Sequence, residues 1–373
     1  MSLEGLRKAV LEVKPYVPGK SIEQVMAEKG LKDVIKLGSN ENPYGPFTNA
    51  RKVMKEEVDF INTYPDVSFY HLKERLSGIH GVKSENICIS HGAEGMLQTL
   101  GKAFIDPGDE VIIPGATYNL YREISRVMGA NIVSVPMNES YYIDLEAVAG
   151  KISSKTKLLW LSNPNNPTGT VFDKKSFERL VESLPSHAWV VLDEAYAEFT
   201  TQNILPDVAS LIEGGANVIS IRTFSKAYGL AGGRLGYAIC REEMATAIDT
   251  VTEPFNANRI VVVGALATLE KDKKEYAEAI EKIKKGRQWL TAEFRRLGLS
   301  PVESHTNFVF ADTPLSAARL SEKLLDLGII VRPCDNWGFP RAVRFTVGLE
   351  QQNQRLIKGI SDILEACAEE VKQ

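Results

Sequence analysis

Between about residues 85 and 240, short apolar runs alternate with amphipathic stretches. The runs cover 87–90, 110–113, 132–135, 158–161, 189–193, 218–221 and 235–239. They are rich in branched side chains, the pattern of strands buried on both faces. Helical candidates such as 94–104 and 174–184 lie between them. Alternation of this kind predicts an α/β fold with a mostly parallel seven-stranded sheet wrapped by helices. After Pro254 the pattern changes. A long helical stretch over 259–297 precedes a smaller α/β set, with strands expected at 307–311, 329–332 and 343–347. The last helix carries Leu356, Ile360, Ile363, Leu364 and Cys367 on one stripe. Residues 1–45 are punctuated by Pro15, Pro18, Gly19, Pro43 and Gly45 and read as an arm. The expected organisation is an arm over 1–45, a large domain over 46–255, and a connecting helix with a small C-terminal domain over 256–373.

Composition narrows the function classes. A chain of 373 residues suits two or three domains. With 44 Lys+Arg against 48 Asp+Glu, the net charge of −4 argues against a nucleic-acid binder that works by neutralising phosphates. Cys88, Cys240, Cys334 and Cys367 lie far apart, with no CxxC pair and no His at ligand spacing. Neither a disulfide framework nor a metal site is expected. Glu4, Arg7, Lys8 and Glu12 stand where a signal peptide would need an apolar core. The longest apolar stretch, 260–269, is about half of a membrane span. A cytoplasmic protein that avoids membranes is expected.

Several site types are absent from the sequence: there is no GxxxxGK[ST] loop, no HExxH, no GxSxG elbow, and no GxGxxG after a strand. What remains is polar residues at the carboxyl ends of strands, where open α/β sheets bind ligands. Asp193 ends the apolar run 189–192; by itself it reads more readily as a helix N-cap or a loop charge than as a site residue. Lys226 follows the run 218–221, with Thr223 and Ser225 just before it and Arg234 downstream. Hydroxyls, backbone N–H groups and an arginine at one spot suit a phosphate. A lysine beside them in a closed cleft can lose its proton and attack an aldehyde. The loop 163–169 is made of turn residues, yet its paired amides between prolines offer a fixed hydrogen-bond donor. Gly232 and Gly233 read as backbone room for Arg234 to turn inward. Together these describe a pyridoxal 5′-phosphate site. The lysine bonds the aldehyde, and the acid keeps the pyridine nitrogen protonated so that the ring draws electrons.

The motifs SNPNNPTG (162–169), DEAY (193–196) and TFSKAYGLAGGRLGY (223–237) resemble the fold type I, or aspartate aminotransferase-like, aminotransferases. Within these the chain is most similar to the histidinol-phosphate aminotransferases. That match rests on SNENPYGP (39–46), TYPD (63–66), PFNANR (254–259), TNFVF (306–310) and VRPxxxWGFPRAVRFTVG (331–348). The resemblance implies transamination between L-histidinol phosphate and 2-oxoglutarate, with pyridoxal 5′-phosphate as cofactor. It assigns catalytic roles to Lys226, Asp193 and Tyr118. Lys226 would carry the cofactor and shuttle the substrate proton; Asp193 would pair with the ring nitrogen, and Tyr118 would stack on the ring. Asn166 and Tyr196 would bond the ring oxygen. Ser225, Arg234, Thr223 and the helix start at Ala93 and Glu94 would hold the phosphate, joined by Tyr64 from the neighbouring subunit of a homodimer. Arg344 would bind the α-carboxylate of glutamate, while Tyr16, Asn42 and Arg332 would serve the substrate. The segment 91–95 departs from the family's usual Gly-Ser/Ala-Asp-Glu, with Glu94 in the Asp place. Trp337 and Leu349 also depart, near the presumed substrate pocket. Alternatives of the same chemistry or fold are an aromatic amino acid aminotransferase and a decarboxylase. A non-catalytic binding protein is the alternative of another class.

Overall fold

The computed structural model describes residues 5–11, 13, 19–200 and 204–372. One sheet holds β1 (Ile87–Ser90), β2 (Glu110–Pro114), β3 (Asn131–Val135), β4 (Thr156–Ser162), β5 (Trp189–Asp193), β6 (Val218–Thr223) and β7 (Gly236–Ile239). Its order is β1-β7-β6-β5-β4-β2-β3. β7 is antiparallel to both neighbours, and the other pairings are parallel. Parallel pairing brings the carboxyl ends of successive strands to one rim: Ser162 lies opposite Asp193, and Asp193 opposite Ile221.

Side chains alternate between the two faces of these strands. Leu159, Leu161, Val190 and Leu192 join one apolar cluster, and Leu158, Trp160, Val191 and Ile219 the other. Helices cover both faces: α1 (Gly92–Phe104) and α2 (Asn119–Met128) pack into the second cluster, and the helix Lys174–Glu182 into the first. The expectation of burial on both faces fails at β3. It is the edge strand among the described residues, with Asn131 and Ser134 exposed.

The stretch expected as one helix over 259–297 is two, α3 (Arg259–Glu270) and α4 (Lys273–Arg296). Asp272, at the break, is buried. Its carboxylate accepts the N–H groups of Asn49 at 3.0 Å and Ala50 at 2.8 Å. Those amides open the helix Thr48–Glu57, which has no side-chain cap of its own. Unpaired first-turn amides favour a nearby carboxylate. Asp272 thus caps a distant helix from the gap between α3 and α4.

A smaller antiparallel sheet contains β8 (Ser300–Pro301), β9 (Phe308–Asp312), β10 (Arg332–Pro333) and β11 (Ala342–Thr346), in the order β10-β11-β9-β8. The strand expected over 329–332 is divided. Ile329–Ile330 pairs in parallel with Ile35–Lys36, and only Arg332–Pro333 joins β11. The segment read as an arm therefore contributes a strand as well as the helix Ile22–Lys29, capped by Ser21. The last helix, α5 (Glu350–Lys372), buries Leu356, Ile360, Ile363 and Cys367 as the stripe requires. Among the described residues, no helix is long and apolar enough to cross a membrane.

Candidate active site

A cavity of about 260 Å³ opens between the carboxyl ends of β4–β6 and the strands β10 and β11. Asp193 and Lys226 both line it. Asp193 is buried at the end of β5, where its Oδ2 accepts the Tyr121 hydroxyl at 2.5 Å and its Oδ1 the Ala195 N–H at 3.0 Å. Burial raises its pKa above the ordinary carboxylate value, with those two bonds opposing. Tyr121 has no polar signature in the sequence. It lies within α2, stacked on Trp160 at 5.5 Å, and reads as core.

Lys226 follows β6, and its Nζ lies 5.9 Å from the centre of the Tyr196 ring and donates to the Ser39 carbonyl at 3.2 Å. Burial, then the charge of Arg344, brings its pKa down from 10.5 to about 8. A substantial share of this amine is therefore neutral near pH 8. The segment 39–46 reaches it because Gly45 and Gly229 pack backbone to backbone: a Cβ on Gly45 would stand 2.6 Å from Gly229 Cα. Asn40, another cavity residue and one without a signal of its own in the sequence, donates to the Tyr196 hydroxyl at 2.9 Å.

Thr223, Ser225, Arg234, Ala93 and Glu94 meet at one end of the cavity. Helix α1 starts there with no side-chain cap on its first amides. Arg234 itself takes a left-handed φ of 56°, while Gly233 packs so closely on Val261 that a Cβ would stand 2.2 Å from Cγ2. The inward turn therefore belongs to the arginine, and Gly233 makes room for the helix behind it. Arg234 Nη2 donates to Glu94 Oε2 at 3.1 Å, and Glu94 Oε1 accepts the Tyr118 hydroxyl. Uncapped amides, two hydroxyls and a guanidinium form an anion cup that fits a phosphate.

At the other end, Arg344 Nη1 donates to Asn166 Oδ1 at 2.5 Å and Nη2 to the Gly38 carbonyl at 2.7 Å. That bond turns the Asn166 carbonyl toward Arg344 and leaves its NH₂ as the group that can donate. Arg332, Trp337 and Tyr118 complete the lining. Three expected residues are not brought together with these. Asn42 is buried, donating to the Ala227 carbonyl at 2.7 Å and accepting the Tyr44 N–H, and it does not line the cavity. Tyr64 is 76% exposed beside a separate depression with His91 and Arg259, stacked on Phe255 at 4.2 Å. Tyr16 lies outside the described residues.

The sequence profile of aminotransferase class I and II matches residues 32–360. The chain belongs to this family. It is 40% identical over 359 residues to a histidinol-phosphate aminotransferase of Moorella thermoacetica, covering 96% of this chain and 92% of that protein. The corresponding protein of Symbiobacterium thermophilum is 38% identical, over 97% and 99% of the two chains. Among solved structures, the histidinol-phosphate aminotransferase of Sinorhizobium meliloti in complex with pyridoxal 5′-phosphate superposes with a TM-score of 0.89. It is 28% identical, over 98% of this chain and 99% of that one. The aminotransferase fold thus accounts for the sheet and for the cavity at its rim.

Proposed function

We propose that this aminotransferase moves the amino group of L-histidinol phosphate to 2-oxoglutarate with pyridoxal 5′-phosphate as cofactor. The observation that carries the reading is Lys226: an amine with its pKa lowered to about 8, in one cavity with the buried Asp193 and the Ser225–Arg234 anion cup. When bound, the cofactor supplies an aldehyde that captures amines and a ring that draws electrons from the neighbouring carbon. Asp193 would hold a proton on the ring nitrogen, and that positive charge would relieve the burial that raises the acid's pKa. Thr223, Ser225, Arg234 and the amides at Ala93 and Glu94 would hold the phosphate. Tyr196 and the Asn166 NH₂ would bond the ring oxygen, with Tyr118 against the ring face. The neutral Lys226 Nζ would take the proton from the donor's amino-bearing carbon and return it during transfer.

The relatives' names agree with the donor, and so does the residue chemistry. Histidinol phosphate carries a phosphate and no carboxylate, whereas glutamate carries two carboxylates; Arg332 and Arg344 can fork either anion. With 2-oxoglutarate as acceptor, kcat/KM for histidinol phosphate is expected to exceed that for phenylalanine, read as glutamate formed. Phenylalanine outrunning histidinol phosphate would replace the donor assignment with an aromatic one.

The same reading includes a homodimer in the cytoplasm. Val58, Phe60, Ile61, Tyr64, Val67 and Tyr70 are each more than half exposed, an apolar surface of the kind that marks an interface. A second copy there would cover it and bring Tyr64 to the partner's phosphate cup. Four buried free cysteines suit a reducing compartment.

A further inference from the structure

Arg332 and Arg344 stand directly opposite each other on β10 and β11, so their side chains leave the same face of the sheet. Both line the cavity. Like charges placed this way destabilise a strand pair, and the arrangement needs a compensating group. Trp337, on the turn Asp335–Trp337, supplies it: its indole lies 5.7 Å from Arg332 Cζ and 5.9 Å from Arg344 Cζ. Guanidinium groups at this distance are attracted to an indole face. The indole N–H donates to the Thr117 carbonyl at 2.6 Å, one residue before Tyr118. A single side chain from the turn between β10 and β11 therefore lies by both cations and is tied to the segment that carries Tyr118.

The two arginines are held differently. Arg344 is buried, fixed by Asn166 and Gly38, and lies over the Phe308 ring at 5.3 Å. The Arg332 guanidinium is half-buried and makes no hydrogen bond or ion pair among the described residues; the indole is its platform. A long side chain held against a flat ring loses less freedom when it binds an anion.

We propose that Trp337 is a positioning residue that sets the preference for amino donors with a phosphate at their far end. It holds Arg332 facing the cavity, at a fixed reach from Arg344 and from the Tyr118 segment. This rests on the transaminase reading above and extends it to a residue on the turn between β10 and β11. A donor whose phosphate reaches Arg332 while its amino carbon lies at Lys226 gains this contact; the same donor without phosphate does not.

The test uses the cofactor-loaded protein with Trp337→Leu, which removes the ring and its N–H, and Trp337→Phe, which keeps an aromatic face. The first readout is the thermal midpoint against inorganic phosphate. Trp337→Leu is expected to raise the half-saturating phosphate concentration about fivefold to tenfold, and Trp337→Phe to recover most of that loss. The second is steady-state kinetics with histidinol phosphate and with histidinol. The ratio of their kcat/KM values is expected to fall about tenfold in Trp337→Leu, through KM for the phosphorylated donor rather than through kcat. Equal losses for both donors, or a native protein whose midpoint ignores phosphate, would overturn the proposal. If the native protein rejects histidinol phosphate while Trp337→Leu still weakens inorganic phosphate, the donor assignment falls and the role of Trp337 stands.

Discussion

The Tyr121 hydroxyl donates to Asp193 Oδ2 at 2.5 Å, a bond between residues 72 positions apart. It stabilises the charged form of an acid that burial pushes toward neutrality. Removing it with Tyr121→Phe should push the Asp193 pKa further up. A bond to a charged group is worth about 1.5–3 kcal/mol, so a loss of roughly tenfold in kcat/KM near neutral pH is expected. The loss should shrink as pH rises and the acid is ionised again. A pH profile identical to that of the native protein would contradict this role.

Lys226 should control the pH dependence of cofactor capture. Its protonated form cannot attack an aldehyde, and its pKa is about 8. The rate at which cofactor-free protein takes up pyridoxal 5′-phosphate should rise with pH up to about 8 and then level off, followed by stopped-flow absorbance. Arg344→Gln removes the second cause of the shift and should move the limb to higher pH. The unfolded chain keeps this proton up to about 10.5, whereas the folded one loses it near 8. Lys226 therefore adds stability as pH rises between these values, and Lys226→Met should flatten that slope.

Glu94 places a carboxylate on Arg234, in the cup that would receive a phosphate. An incoming phosphate competes with it for the same guanidinium. Glu94→Gln is expected to lower the equilibrium Kd for pyridoxal 5′-phosphate about twofold to fivefold, since a half-exposed pair of this kind contributes about 1 kcal/mol at most. Weaker cofactor binding in Glu94→Gln would mean that the carboxylate supports the cup instead.

On the other side of the sheet rim, Glu194 is fully buried, with Oε2 accepting from Ser220 and from Arg222 Nε and Nη2. Arg222→Met would leave that acid without its cation, a change that costs about 3–5 kcal/mol. Urea unfolding should show a loss of this size; a loss below about 1 kcal/mol would show that Glu194 does not depend on the pair.

Strands and rim residues were legible in the sequence because their signals are local. Asp193 and Lys226 stand out against the apolar runs before them, and Thr223, Ser225 and Arg234 lie within a few turns of chain. Tyr121, Asp272 and Asn42 were not legible, because what each does is decided by a distant partner. Tyr121 looks like any core aromatic until Asp193 meets it. Asp272 sits in a run that favours one continuous helix, and only the uncapped start of Thr48–Glu57 turns it into a break. Asn42 lies in a motif that points to the site, yet its amide is used up by Ala227 and Tyr44. That the left-handed φ of 56° falls on Arg234 itself, and that Gly233 packs against Val261, cannot be read from spacing either.

The role of Lys226 is decided by where the cofactor attaches. Native protein and Lys226→Ala are loaded with pyridoxal 5′-phosphate, reduced with borohydride, digested and mapped by mass. The reduced cofactor's mass is expected on the native peptide containing Lys226, with no such adduct in the variant. A reduced adduct on another lysine, or none in the native protein, would contradict it.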